Sequence, residues 1–353
     1  MKKVAIVGAG NAGCITALHL YKHGGYEIEF YHSPSSHPIE RVGQGTVVPE
    51  AKLISEVFGF NWHTNPIDAT IKTGFMYEGW CRDKFFAPFA SMSTVSFHYV
   101  PEKLSKLVLN AGFKVNEQVI TDPEKEIDSD YIFDCRGTPN TLDGYDILPA
   151  AVNAVLLATD PKPDKSLTHT RGVATPNGWT FIIPNIDSVS YGYLYNSNIT
   201  TDQDAITDFF DRFNIQEVET WTKFPSYIAK NPFVGERTFL NGNRLSFYEP
   251  LEATALRFYH EVVEDAINVI ELGNTKEFYG KELHKKMKQI ETFVLWHYNS
   301  GSIYDTPFWK FAKALPFEPD QVFRTCLNVK GLVYGQWDSE QLQLWNRRLG
   351  SNQ

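Results

Sequence analysis

The 353-residue sequence is poor in cysteine: Cys14, Cys81, Cys135 and Cys326 are scattered along it, with no C-x-x-C pair and no His-rich ligand spacing. Neither a disulfide framework nor a metal site is expected, and a reducing, cytoplasmic setting is the default. Positive charge is also in deficit, 33 Lys+Arg against 42 Asp+Glu for a net charge of −9. That balance opposes the basic surface needed to neutralise nucleic-acid phosphates or to rest on an anionic membrane. No run reaches the ~18 apolar residues of a spanning helix. The opening Met1-Lys2-Lys3 followed by VAIVGAGNAG imitates a signal peptide, but its apolar run breaks at Gly8. Repeats and low-complexity linkers are absent as well, so packed lobes are expected. Aromatics are plentiful, with 25 Phe, 17 Tyr and 8 Trp. Most serve a core, and some can line pockets with flat rings.

The first seventy residues read as strand, glycine turn, helix and strand. Residues 4–7 are an all-apolar run, Gly8-Ala9-Gly10-Asn11-Ala12-Gly13 leads into a helix with Ala17, Leu18 and Leu20, and Gly24-Gly25 ends it before the strand at 27–31. Helical spacing returns at 101–112, after Pro250 and around 290–298. A further strand at 131–133 runs into Asp134-Cys135-Arg136-Gly137, and the acidic stretch 122–130 before it reads as a solvated loop. Strand-like runs at 179–183 and 189–195 predict an inserted antiparallel sheet. The fold class is therefore α/β (α+β). A Rossmann-like three-layer dinucleotide domain spans 1–164 and 235–285, the inserted sheet 165–234, and a mainly helical lobe 286–353.

The G-x-G-x-x-G of Gly8, Gly10 and Gly13, between a strand and a helix, has the context of a dinucleotide fingerprint. The first glycine turns the chain, the second lets a pyrophosphate approach the backbone, and the third packs helix on strand, with Asn11 and Ala12 opening the helix. His32 stands at the end of the second strand, where an acidic ribose partner is usual. Imidazole can still hydrogen-bond a hydroxyl. A second glycine loop follows, Val42-Gly43-Gln44-Gly45-Thr46, in which Gly43 and Gly45 permit close backbone approach; a plain surface turn is the other reading.

Downstream, Gly178-Trp179-Thr180-Phe181-Ile182-Ile183-Pro184 resembles the G-W-x-W-x-I-P signature of flavin-dependent halogenases of the tryptophan-halogenase type, with Phe181 replacing the second Trp. Collinear matches accompany it. VGQGT stands for V-G-E-A-T, Asp134-Cys135-Arg136-Gly137 for D-C-S-G, YGYLYN at 191–196 for G-Y-V-Y-S, and Glu249-Pro250-Leu251-Glu252-Ala253-Thr254 for E-P-L-E-S-T. Trp296-His297-Tyr298 and Asp305-Thr306-Pro307-Phe308-Trp309 complete the series. The resemblance implies an FAD-binding fold of the flavin monooxygenase type, with cofactor contacts at Gly8, Gly10, Asn11, Ala12, Gly13, His32, Gly43, Gln44, Gly45, Thr46, Trp179, Ile183 and Pro184. It implies Lys72 and Glu252 as catalytic residues, and a halide near Thr254 and Ala255. Two departures stand out: Ala253 replaces a serine and Ala255 a glycine. Pro250 reads as the first turn of a helix holding Glu252. His98 and His297 are read as packing residues.

The reaction so implied uses FADH2, O2 and halide to make hypohalous acid, which Lys72 delivers to an electron-rich aromatic ring while Glu252 assists. With one dinucleotide fingerprint, the chain would depend on a separate NAD(P)H-flavin reductase. Two alternatives stay open, an aromatic hydroxylase on the same fold and a flavin-binding protein without halogenase activity. The chain is shorter than the enzymes it resembles, so a reduced, open substrate lobe is expected, and exposed aromatics would favour a homo-oligomer.

Overall fold

Strand β1 (Lys2–Val7) alternates its side chains between two cores. Val4 and Ile6 face a helical layer, whereas Ala5 and Val7 face a smaller apolar cluster with Ile120, Ile127 and Ile132. An all-apolar run is what a parallel strand covered on both faces requires. The computed structural model describes residues 1–33, 43–60, 63–81, 84–89, 96–335 and 337–350, with side chains to 347; Val42 of the second glycine loop lies outside them. β1 pairs in parallel with β2 (Tyr26–His32) and with Tyr131–Asp134. Six strands make up this sheet, ordered Phe233–Val234, Thr238–Leu240, Tyr131–Asp134, β1, β2 and Lys114–Glu117. Only the first pair is antiparallel. The expected βαβ opening is present: helix α1 (Asn11–His23) joins β1 to β2 and ends at Gly24, whose φ of +83° suits glycine. Ile15 and Leu18 of α1 share a core with Val262, Val263 and Ala266 of the Thr254–Leu272 helix.

Residues 122–130 depart from the solvated loop expected of them. They contain the helical turn Pro123–Glu126, and Ile127 is buried against Val7 and Ile132. Ile127 and the buried Pro123 anchor the segment while Asp128 and Asp130 stay exposed.

The second sheet has seven strands, ordered Thr220–Lys223, Ala154–Asp160, Val189–Tyr195, Gly178–Pro184, Thr170–Thr175, Gly74–Glu78 and Phe85–Pro88. All neighbours run antiparallel except Thr170–Thr175 beside Gly74–Glu78. It draws strands from 74–88 and 154–160 as well as from 165–234. Gly178–Pro184 lies mid-sheet with every residue buried, which explains its unbroken apolar run. Phe181 pairs with Gly192, and a Cβ there would lie 2.1 Å from the Phe181 ring, so the glycine makes room for the aromatic.

A smaller antiparallel sheet joins Gln44–Gly45, Ser96–Tyr99 and Thr70–Lys72 in that order. It brings the second glycine loop beside Lys72. The remaining chain is mostly helical, from Thr254–Leu272 and Lys276–Asn299 to Ser339–Gly350, with a hairpin of Val333–Tyr334 and Trp337–Asp338. Among the described residues no helix is long and apolar enough to cross a membrane, and the four cysteines are free.

Candidate active site

The glycine turn after β1 has the shape its sequence calls for. Gly8 adopts φ +107°, and a Cβ on it would lie 2.5 Å from the Cys135 carbonyl oxygen. A Cβ at Gly13 would come within 2.0 Å of the Gly8 carbonyl oxygen, so this glycine serves close helix packing. At Gly10 a Cβ would meet nothing within 4 Å. The open face of Gly10 and the free amides at the start of α1 form a cradle fit for a pyrophosphate. Gly10→Ala is therefore expected to leave the melting temperature unchanged while weakening FAD binding at least about tenfold, whereas Gly13→Ala destabilises the fold by about 1–3 kcal/mol. Fluorescence titration and thermal melts on both variants read the difference.

Lys72 is 1% exposed. Its Nζ donates to the Thr46 carbonyl oxygen at 3.0 Å and lies 5.6 Å from the centre of the Phe89 ring. Burial lowers its pKa to about 8, against the opposing pull of Glu252 and then Glu50. A lysine so placed holds both protonation states within reach near neutral pH.

Glu252 arrives from 180 residues away in sequence. It does not occupy a first helical turn: Glu252 (φ +69°, ψ 8°) and Ala253 (φ +53°, ψ 34°) are both left-handed, and the helix proper begins at Thr254. Two successive non-glycine residues in this region cost about 1–2 kcal/mol each. Such strain is kept where the surrounding structure over-determines it. Glu252 is 1% exposed, and it accepts a hydrogen bond from the Trp337 indole N–H at 3.1 Å. Lys72, Glu252 and Trp337 line one cavity of about 240 Å³ with Gly74, Phe75, Ala87, Pro88 and Phe89.

The cavity is covered at a point where an open lobe is expected. Trp337 comes from the C-terminal hairpin, and Gln341 fastens the same segment by donating to the Pro88 carbonyl oxygen at 2.5 Å. Trp337 and Trp345 carry no sequence motif; a Trp pair in an otherwise polar tail was the available signal. Behind Glu252 stands His297, fully buried, its Nε2 3.6 Å from Glu252 Oε1 and 3.0 Å from the Tyr77 hydroxyl. Burial pushes its pKa down to about 3, so the ring is neutral. Its Nδ1 lies 2.8 Å from the Phe293 carbonyl and donates to it, leaving Nε2 to accept from Tyr77. His98 is likewise buried, held at Nε2 by Thr170 Oγ1 at 2.8 Å.

The other sequence-predicted residues separate into two groups. Gly8, Gly10, Asn11, His32 and Gln44 retain accessible surface, and Asn11 Oδ1 accepts from Tyr99 at 2.7 Å. Thr46 and Trp179 are 0% exposed, and a side chain without accessible surface offers nothing to a ligand in this conformation. Thr46 acts through its carbonyl on Lys72. Trp179 donates to the Tyr298 hydroxyl at 2.7 Å, and Tyr298 in turn donates to Glu249 Oε1 at 2.6 Å. Ala12, Gly13, Gly43, Gly45, Ile183 and Pro184 are buried, Gly43 against Asn185 and Gly45 against the Lys72 ammonium. Thr254 and Ala255 do not reach the Lys72 cavity. They line a second one of about 320 Å³ with Ser246, Tyr248, Phe258 and Met287.

The tryptophan halogenase family model matches residues 3–103 and 98–348. The chain belongs to the tryptophan halogenase family. Tryptophan 7-halogenase RebH of Lentzea aerocolonigenes is 23% identical to it over 330 residues, covering 83% of this chain and 58% of RebH. This halogenase-family chain thus spans a little over half the length of that curated relative. Among solved structures, a tryptophan halogenase from Shewanella frigidimarina NCIMB 400 superposes with a TM-score of 0.81 at 18% identity, over 99% of this chain and 89% of that one. BrvH, a flavin-dependent halogenase from Brevundimonas sp. BAL3, gives 0.78 at 16% identity, over 99% and 90%. The mixed α/β architecture, with its Rossmann-like sheet, is that of the flavin-dependent halogenases.

Proposed function

We propose that the chain is an FADH2-dependent halogenase that transfers halogen from hypohalous acid to an electron-rich, indole- or phenol-like ring. The supporting observation is the convergence of Lys72 and Glu252, from two separate sheet and helix segments, on one ring-lined cavity. FAD would be held at the Gly8–Gly13 turn, with His32 and Gln44 nearby; bound and reduced, it would supply the oxidation of halide by O2 to hypohalous acid. Thr254 and Ala255 open a 19-residue helix, and the positive end of its dipole is suited to hold the halide.

With a pKa of about 8, Lys72 is mainly an ammonium at neutral pH. It donates a hydrogen bond to the oxygen of hypohalous acid, which polarises the oxygen–halogen bond. The ring supplies an electron pair to the halogen, the oxygen–halogen bond breaks, and the departing hydroxide takes a proton from Lys72 to leave as water. Glu252 accepts the proton lost by the ring, and its return to Lys72 restores both groups. The surrounding burial keeps water from consuming the oxidant.

The one dinucleotide turn agrees with dependence on a separate NAD(P)H-flavin reductase. Purified protein supplied with FAD, such a reductase, O2 and each halide in turn should give halide-dependent mass gains on indoles or phenols. A gain of one oxygen would assign a hydroxylase, and bound flavin without any product a non-catalytic flavoprotein.

A further inference from the structure

A second polar cluster lies where α1, α2 (Val48–Phe58) and the Thr254–Leu272 helix pack together. His19 projects from α1, Glu50 from the first turn of α2, and His260 and Glu264 stand one turn apart on the third helix. The His19 and His260 rings meet edge-on with centroids 4.4 Å apart. Glu264 Oε1 is 3.5 Å from Nε2 of His260, and Glu50 Oε1 is 3.6 Å from Nδ1 of the same ring. One donor atom from each of His19, His260 and Glu264 lies within 4.8 Å of the other two. Among the described residues, His19 Nδ1, His260 Nδ1 and both oxygens of Glu50 are shut off from solvent with no hydrogen-bond partner. Buried polar atoms are seldom left this way without a reason. Glu50 is 0% exposed, and its carboxyl faces His260.

We propose that His19, His260 and Glu264 form a binding site for a divalent transition-metal ion, best fitted to Zn2+, with Glu50 orienting His260 from behind. Two imidazoles and one carboxylate are the donors that zinc favours, and a site with a single carboxylate is a poor one for Mg2+ or Ca2+. Tetrahedral zinc with bonds near 2.1 Å would draw its ligand atoms to ~3.4 Å apart, a side-chain adjustment of about 1 Å from the present spacing. A carboxylate on the far nitrogen of a metal-bound histidine is the usual outer partner, fixing tautomer and ring direction. Access is available through Glu264, which is exposed, and through the half-buried histidine rings. Neighbouring cations are already compensated, Arg257 by Glu261 at 2.6 Å and Lys22 by Glu56. The ion would tie the helix behind the glycine turn to the helix that follows Glu252. Sequence spacing conceals such a site, because its ligands come from separate helices.

Binding of zinc here requires neither flavin nor halide. Tag-free, chelator-stripped full-length protein should bind one equivalent of Zn2+ by calorimetry, with micromolar or tighter affinity and a raised melting temperature. Co2+ in its place should give the intense visible bands of tetrahedral coordination. Glu264→Gln, an exposed change with no folding risk, and His19→Gln should each weaken binding at least about tenfold, and Glu50→Gln by about 10–100-fold with all three ligands intact. Affinity no better than millimolar, or affinity unchanged in Glu264→Gln and His19→Gln, would overturn the assignment.

Discussion

Lys72→Ala is expected to lower halogenated product by about 10³-fold or more while halide-dependent reoxidation of FADH2 continues. In the proposed reaction the lysine enters only at the last stage, so its loss would remove the donor to hypohalous acid without touching the Gly8–Gly13 cradle. Positioned proton donors contribute about 10²–10⁴-fold, and a buried electrostatic donor adds to that. Removing it also leaves the Thr46 carbonyl without its 3.0 Å partner. That orphaned acceptor costs about 1–3 kcal/mol, so melts must accompany the assay. Lys72→Arg is not expected to rescue, because the planar guanidinium does not fit between Gly45 and Phe89 as a compact ammonium does. The pH profile gives a sign as well. If the ammonium is the working form, transfer falls as pH rises through about 8. A rise over the same interval would assign the step to the neutral amine, and unaltered product from Lys72→Ala would remove Lys72 from the reaction.

Glu252→Gln should reduce transfer about 10²-fold, and Glu249→Gln by no more than about threefold. The two glutamates are three residues apart, yet their surroundings differ. Burial lifts Glu249 to about 8, so at neutral pH it already carries a proton, and a neutral amide can accept the same Tyr298 hydrogen bond. Glutamine at 252 can likewise keep the Trp337 bond, so its effect isolates the loss of the proton-accepting carboxyl group. Because Glu252 raises the Lys72 pKa, its neutralisation should also move the alkaline limb of the transfer profile to lower pH. Product yields and pH profiles on both variants decide the matter: the reverse order of losses would show that the other glutamate serves the reaction.

Much of the framework was legible in the chain. The apolar run at 4–7, the three glycines and Gly24 each have one good structural solution, and all of them take it. The motif order also pointed to Lys72 and Glu252 as partners. The error at Glu252 has a clear cause. Pro250 favours a helical start, but the local preference is overridden by packing of Leu251 and by the Trp337 bond, which hold 252 and 253 left-handed. Ile127 shows the same limit on a smaller scale, since it and Pro123, two apolar residues among acids, are enough to fold a loop inward.

By itself the sequence determined the periodic elements, the glycine turn and the family, because these depend on residue type at short spacing. Tertiary structure alone decided which distant groups share a cavity. It placed Thr254 and Ala255 apart from Lys72, withdrew Thr46 and Trp179 from ligand reach, and set Trp337 over Glu252. Burial explains the difference: the pKa of a lysine or a glutamate is fixed by what surrounds it, and those surroundings come from parts of the chain that no local pattern connects.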